Sequence, residues 1–165
     1  MIIKYTNFSD GIHLISFNEP VENLGLDESF FGNVLVNCRM DKSIHQIVID
    51  FDVEATSHLI CDRCNSEYDA KLTNHFQMSY LFVRDAKRLD EFNVKYLSPD
   101  EDKIDIDQDV FDYVELAIPM KKLCREDCKG LCPVCGTNLN EKQCDCHLNT
   151  KNDIWEPLKK LKFNN

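Results

Sequence analysis

Eight of the nine cysteines in this 165-residue chain fall into four close pairs, and no other feature constrains its fold as tightly. Cys61 and Cys64 form a C-x2-C in mid-chain. Cys124 and Cys128 (C-x3-C), Cys132 and Cys135 (C-x2-C), and Cys144 and Cys146 (C-x-C) crowd a later stretch. A tetrahedral zinc site takes four soft ligands, commonly as two close pairs from two turns, so four pairs make two all-cysteine sites. Thiolate at every position leaves no place for water or substrate, so the expected zinc is structural, two ions per chain.

The pairs can be combined in more than one way. CPVCG, with Cys132 and Cys135, reads as a zinc knuckle whose glycine permits the following positive φ. Cys144 and Cys146 return after an eight-residue gap, enough for a small loop to close that site. Cys61, Cys64, Cys124 and Cys128 would then share the second zinc and pin two segments about 60 residues apart. Two other partitions remain open from spacing alone. Cys124, Cys128, Cys132 and Cys135 can form a local site, leaving Cys61/Cys64 to Cys144/Cys146, and His147 can replace Cys146. Zinc is favoured over an iron–sulfur cluster because two-residue knuckles followed by glycine are a zinc pattern.

Metal rather than disulfides is expected because the chain reads as cytoplasmic. Its opening residues lack a signal peptide's apolar stretch, and no run approaches the roughly 18 apolar residues of a membrane span. Thiols stay reduced in the cytosol, where close cysteine pairs bind metal.

Period-2 alternation marks the first half as antiparallel β. Val34, Val36, Cys38 and Met40 share one parity, with Leu35 breaking the pattern. Ile49, Phe51, Val53 and Ala55 alternate with Asp50, Asp52, Glu54 and Thr56. Tyr68, Ala70, Leu72, Phe76, Met78, Tyr80 and Phe82 continue after the first cysteine pair. Cys61-x2-Cys64 therefore sits at a hairpin tip rather than opening a helix in a βαβ unit, which argues against thioredoxin-type redox chemistry. The run 67–83 is long for one strand and suggests a bend near Asn74. Cys38 reads as a buried small hydrophobe.

Residues 84–109 read as an acidic, mobile connection holding a short hairpin. Asp105-x-Asp107-x-Asp109 is not an EF-hand, because Val110 stands where the loop needs glycine and Leu116 where it needs glutamate. Asp107 and Asp109 are expected to cap a helix whose apolar stripe is Val110, Tyr113, Val114, Ala117 and Ile118. Pro119 ends that helix at or before Ile118. In the last segment Trp155, Leu158 and Leu161 beside Lys159, Lys160 and Lys162 fit a short amphipathic helix, either packed on the body or docking an acidic partner or RNA.

The architecture expected is α+β: an antiparallel β-rich domain over 1–118, with the hairpin-tip CxxC and a closing helix, and a zinc-binding module with a basic tail over 119–165, packed back on the domain. Net charge is −10, distributed unevenly. Residues 1–84 carry 6 Lys/Arg against 12 Asp/Glu, residues 85–115 carry 4 against 11, and residues 116–165 carry 9 against 6. An acidic body is a poor non-specific ligand for phosphate, so tight RNA binding by the chain alone is disfavoured and a protein partner is the easier expectation. No Gly-rich phosphate loop, GxSxG or HExxH occurs. His13, His45, His58 and His75 lack metal or catalytic spacing. No catalytic residues are assigned, and no enzyme is indicated.

Taken together, CDRC in a β half, the acidic IDID, a helix ending in ELAIPMK, and LCREDCKGLCPVCGTNLNEKQCDC closing on WEPLKKLKF resemble the YceD-like proteins, the large ribosomal RNA subunit accumulation proteins. The resemblance implies a bacterial cytosolic, non-enzymatic ribosome-biogenesis factor supporting 23S rRNA accumulation or processing and large-subunit assembly. With the acidic charge, the partner expected is a ribosomal protein or large-subunit assembly factor, with rRNA contacted indirectly. The family's cysteines map onto the eight paired here. One departure is Asn152-Asp153-Ile154 before Trp155, where an acidic-Pro-Arg run is expected. The alternative is a zinc-ribbon module that binds RNA or protein outside ribosome assembly.

Overall fold

The computed structural model describes residues 1–82, 92–98 and 100–146. The main sheet runs in the order β2 (Gly11–Pro20), β3 (Phe30–Lys42), β4 (Gln46–Ile60), β5 (Glu67–Phe82) and β6 (Val94–Leu97). A two-stranded ribbon joins β1 (Ile2–Ile3) to β7 (Ile104–Asp105). A four-residue helix α1 (Val21–Leu24) links β2 to β3, and α2 (Asp107–Glu115) is the main helix. Among the described residues the chain is therefore strand-rich with one main helix, an α+β arrangement. The pairings β2–β3–β4–β5 are antiparallel.

Alternation builds the core directly. Val34, Val36, Cys38 and Met40 on β3 are buried, as are Ile47, Ile49, Phe51, Val53 and Ala55 on β4 and Phe76, Met78 and Tyr80 on β5. Register sets these side chains in rows across the sheet: Ile15 opposite Cys38, Cys38 opposite Phe51, Phe51 opposite Phe76. Leu35, which breaks the alternation, follows a register shift between Phe31 and Leu35, where Gly32 takes φ +77°. α2 lies across β4 and β5. It buries Val110 and Val114 while Tyr113, Ala117 and Ile118 pack at the margin. Its i→i−4 ladder ends before Pro119, and Ala117 and Ile118 continue with tighter i→i−3 bonds. The Phe76 ring stacks between Phe51 at 4.6 Å and Tyr113 at 3.7 Å, fastening the helix to the sheet.

Three expectations change. The bend near Asn74 does not interrupt pairing, and the β4–β5 ladder runs unbroken from Gln46–Leu81 to Ile60–Glu67. Asn74 sits at core parity because its amide donates to the Tyr113 carbonyl of α2 at 2.9 Å, so the polar group is satisfied. The 84–109 connection, as far as it is described, is no hairpin. It supplies β6, which pairs parallel to β5, and β7, which pairs with β1. Nor do Asp107 and Asp109 cap α2. Both lie in its first turn, as expected, but neither carboxylate takes a helix amide; Asp105, just before the helix, accepts the Asp107 N–H at 3.0 Å. Asp109 turns inward, 7% exposed, and takes the Lys95 ammonium at 2.6 and 2.7 Å, because a buried carboxylate needs a counter-charge more than a helix start needs a cap. The amphipathic segment at Trp155, Leu158 and Leu161, and His147, lie outside the described residues.

Candidate metal centres

The turn between β4 and β5 is the first knuckle. Its form follows from local hydrogen bonds: Cys61 N–H donates to the Ser66 carbonyl at 2.9 Å, and Asn65 N–H donates to the Cys61 carbonyl at 2.8 Å. Asn65 is the described non-glycine residue with positive φ, +56°. The second knuckle repeats this pattern at the same offsets. Cys132 N–H donates to the Thr137 carbonyl at 2.8 Å, Gly136 N–H to the Cys132 carbonyl at 2.9 Å, and Gly136 has φ +73°. CDRCNS and CPVCGT are thus one turn written twice: two cysteines, a left-handed residue, then a hydroxyl residue. Asparagine and glycine are the residues that tolerate the left-handed position.

Each knuckle meets a second pair. The chain leaving α2 lies against the first knuckle, with Asp62 N–H donating to the Lys122 carbonyl at 2.8 Å and the Asp62 carboxylate accepting the Lys122 N–H at 2.7 Å. That places Cys124 and Cys128 beside Cys61 and Cys64. The sulfurs of Cys61 and Cys128 stand 3.8 Å apart, and those of Cys64 and Cys124 3.7 Å apart. In the second group Cys132, Cys135, Cys144 and Cys146 also converge, and within each tetrad all four sulfurs lie within 4.8 Å of one another. A disulfide would need about 2.05 Å. A tetrahedral ion with metal–sulfur bonds of about 2.3 Å, the zinc value, sets its sulfurs about 3.8 Å apart. The donor set, the spacing and the number of sulfurs fit one tetrahedral metal ion in each tetrad. None of His13, His45, His58 and His75 joins either tetrad: His58 faces Asp69, and His75 contacts Asp52 at 2.9 Å on the outward face of the sheet.

The two tetrads differ in burial. Cys61, Cys64 and Cys128 are buried, with Tyr68 and Leu123 packed around them and Cys124. In the second tetrad only Cys132 is buried, Cys135 and Cys146 are exposed, and Cys144 is partly open to solvent. Burial alone would raise the Cys61 thiol, but amides of Cys124, Cys64 and Arg63 outweigh it and bring the pKa to about 6. The Thr137 hydroxyl and amide, followed by the Cys132 and Cys146 thiols, bring Cys135 to about 6. Burial and the neighbouring thiols Cys64, Cys61 and Cys128 push Cys124 up to about 12. Cys146 also reaches about 12, through its hydrogen bond with Cys135 and then burial. Each tetrad resists gathering several thiolates by themselves, and a divalent cation removes that penalty.

Spacing pointed to the cysteines but not to their support. The Thr137 hydroxyl lies 3.1 Å from Cys135 Sγ, and the hydroxyl and amide of Ser66 hold the Cys64 thiol below its ordinary value. Arg63 donates to the Cys128 carbonyl at 3.0 Å, and its own carbonyl accepts the Leu131 N–H at 3.0 Å. Asn138 and Asn140 of the NLN run contact the first tetrad's surroundings. The signal available in the sequence was the matching of CDRCNS with CPVCGT.

A profile of the family described as "Large ribosomal RNA subunit accumulation protein YceD" matches residues 49–162, which include both knuckles and all eight paired cysteines. The chain is 37% identical over 67 residues to the "Large ribosomal RNA subunit accumulation protein YCED homolog 1, chloroplastic" of Arabidopsis thaliana, a match covering 41% of this chain and 21% of the relative. It is 46% identical over 39 residues to an uncharacterized protein of Mycobacterium tuberculosis, covering 24% of this chain and 19% of that one. With an uncharacterized protein of Mycobacterium leprae it shares 47% over 36 residues, 22% and 17% of the two chains. The chain thus spans about a fifth of the length of the curated relatives it matches. No solved structure matches it. With the family profile covering more than two thirds of its residues, this cysteine-knuckle protein belongs to the YceD family.

Proposed function

We propose that this protein is a non-enzymatic ribosome-biogenesis factor that supports 23S rRNA accumulation and large-subunit assembly, folded around two structural zinc ions. One observation carries the reading: the family match extends across both knuckles, so the part shared with large ribosomal RNA subunit accumulation proteins is the part that would hold metal. In this reading Cys61, Cys64, Cys124 and Cys128 hold one zinc, and Cys132, Cys135, Cys144 and Cys146 hold the other. Four sulfurs satisfy each ion and leave no open coordination position, which supports a structural role over a catalytic one. Zinc would supply folding free energy to a segment, 120–146, whose described residues form no helix and no strand beyond an isolated bridge between Leu131 and Asn138. The division into a β-rich body over 1–118 and a zinc-binding module over 119–165 belongs to the same proposal.

The partner proposed is a basic ribosomal protein or assembly factor in the cytoplasm, with rRNA reached indirectly. The outward faces of β4 and β5 support it. They present Asp50, Asp52, Glu54 and Asp69, with Arg39 on Asp50 at 3.3 Å and Lys71 on Glu54 at 2.6 Å as partial compensation. Such a face steers a basic partner electrostatically and predicts association that weakens with salt. No helix among the described residues is long and apolar enough to cross a membrane.

The test is the ratio of 23S to 16S rRNA in cells depleted of the protein and rescued by wild type or Cys132→Ser. A fall that wild type restores and the variant does not would support both the ribosomal role and the need for the second metal. An unchanged ratio on depletion would refute the role. Filter binding of purified protein to rRNA fragments separates the indirect mode from direct binding, since tight, steeply salt-dependent affinity would overturn the former.

A further inference from the structure

The loop between Cys135 and Cys144 belongs by sequence to the second tetrad, yet its side chains reach the first. Asn140 Oδ1 accepts the Lys129 N–H at 2.8 Å and the Arg125 guanidinium at 2.9 Å. Both are groups that can only donate, so the amide nitrogen must face the other way. There Nδ2 donates to Cys128 Sγ at 3.3 Å and to Asn138 Oδ1 at 2.9 Å. Asn138 Oδ1 also accepts the Asn140 N–H at 3.0 Å, which fixes its own Nδ2 as donor to Ser66 Oγ at 3.2 Å and to the Glu141 carboxylate at 2.9 Å. Ser66 itself closes the first knuckle, its carbonyl accepting the Cys61 N–H at 2.9 Å, so Asn138 grips that knuckle directly. One sulfur of the first tetrad thus receives a hydrogen bond from, and the knuckle carrying two others is gripped by, a loop whose two ends are cysteines of the second tetrad.

We propose that Asn138 and Asn140 are positioning residues for the metal of the first tetrad, and that they couple the two sites: closing the second tetrad on its metal tightens metal binding at the first. This rests on the reading that both tetrads bind metal. The physical basis is twofold. A divalent ion with four thiolates carries net negative charge, and each N–H or O–H aimed at a sulfur offsets part of it. A loop anchored at both ends by a bound metal holds those donors in place, whereas a loose loop would have to be ordered each time the first site fills. Because coupling is reciprocal, the first metal tightens the second by the same factor. Loss of such supporting contacts typically weakens metal binding about 10- to 100-fold.

The experiment uses the full chain loaded with cadmium-113, whose NMR signals distinguish the two tetrathiolate sites. Each signal is assigned from a Cys→Ser change in the other tetrad, and affinities are read by chelator competition. Asn140→Asp keeps the acceptor oxygen and the size but replaces the donor facing Cys128. It should weaken the first site about 10- to 100-fold and move its cadmium signal, leaving the second signal in place. Asn138→Asp, which removes the donor to Ser66, should act on the same site and is an independent check should the first variant fold poorly. Cys135→Ser/Cys144→Ser, which empties the second site, should weaken the first by a comparable factor. Unchanged first-site affinity and signal in these variants would overturn the proposal, as would an Asn140→Asp effect on the first site that is just as large when Cys135→Ser/Cys144→Ser has already emptied the second. Wild-type protein that takes up fewer than two cadmium ions would instead sink the underlying metal reading.

Discussion

Gly130→Ala probes how closely the second knuckle is docked against the first. Gly130 is buried with φ +77°, and a Cβ there would fall 3.0 Å from the Arg63 carbonyl oxygen and 3.5 Å from the Arg63 Cβ. That oxygen cannot easily retreat. It accepts the Leu131 N–H at 3.0 Å and lies between Cys61 and Cys64 in the first knuckle. The left-handed conformation costs alanine about 1–2 kcal/mol. Forcing a tight contact against fixed backbone adds about 1–3 kcal/mol. The sum is about 2–5 kcal/mol, a large part of a typical domain's stability. Gly136→Ala is the control. At φ +73° with nothing within 4 Å of its Cβ, it should lose only the conformational cost of about 1–2 kcal/mol. The assay is the midpoint of guanidinium unfolding at saturating zinc for both variants, with zinc release to a chelator as a second readout. Gly136→Asn should stay close to wild type, because Asn65 fills the equivalent position of the first knuckle. Equal losses for Gly130→Ala and Gly136→Ala would refute the close docking of the knuckles.

Phe76→Ala removes the middle ring between Phe51 and Tyr113 and should cost about 3–5 kcal/mol; a loss under about 1 kcal/mol in denaturant unfolding would show that this stack does not fasten α2. Lys95→Met leaves the buried Asp109 carboxylate without its cation and should cost about 1–3 kcal/mol, most of it recovered by adding Asp109→Asn; a cycle without coupling would refute the pairing. Cys38 should resist alkylation in the folded protein at pH 8 and react on unfolding, because burial pushes its thiol from 9.0 up to about 12. The folded form favours the neutral thiol, so its contribution to stability is complete below about pH 9 and is lost as pH rises from there through about 12; a stability that Cys38→Ala leaves equally alkali-sensitive would refute this.

The parts of the fold that could be read from the chain alone are those whose cause is local. Val34 to Met40 and Ile49 to Ala55 alternate cleanly, and a strand with one buried face has no other way to place such a pattern. The first 30 residues resisted reading because Ile12, Leu14, Ile15 and Phe17 put apolar side chains on both parities of β2, and only the packed sheet leaves Ile12 and Leu14 exposed while partly burying Ile15 and Phe17. Asp109 looked like a helix cap because its role depends on Lys95, which arrives from β6.

The same division holds at the two cysteine tetrads. A C-x2-C followed by a left-handed residue and a hydroxyl residue closes its own turn through hydrogen bonds spanning at most five residues, so the sequence by itself determined that close pairs of sulfurs would exist and where. Which pairs meet was left open, since Cys124 and Cys128 are as near in sequence to Cys132 as to anything else. Tertiary structure decided it. The chain leaving α2 is held against the β4–β5 turn by Asp62 and Lys122, and this sets Cys124 and Cys128 beside Cys61 and Cys64. The physical reason is that spacing governs only what a short loop can close, whereas joining pairs about 60 residues apart depends on where the packed helix delivers the chain.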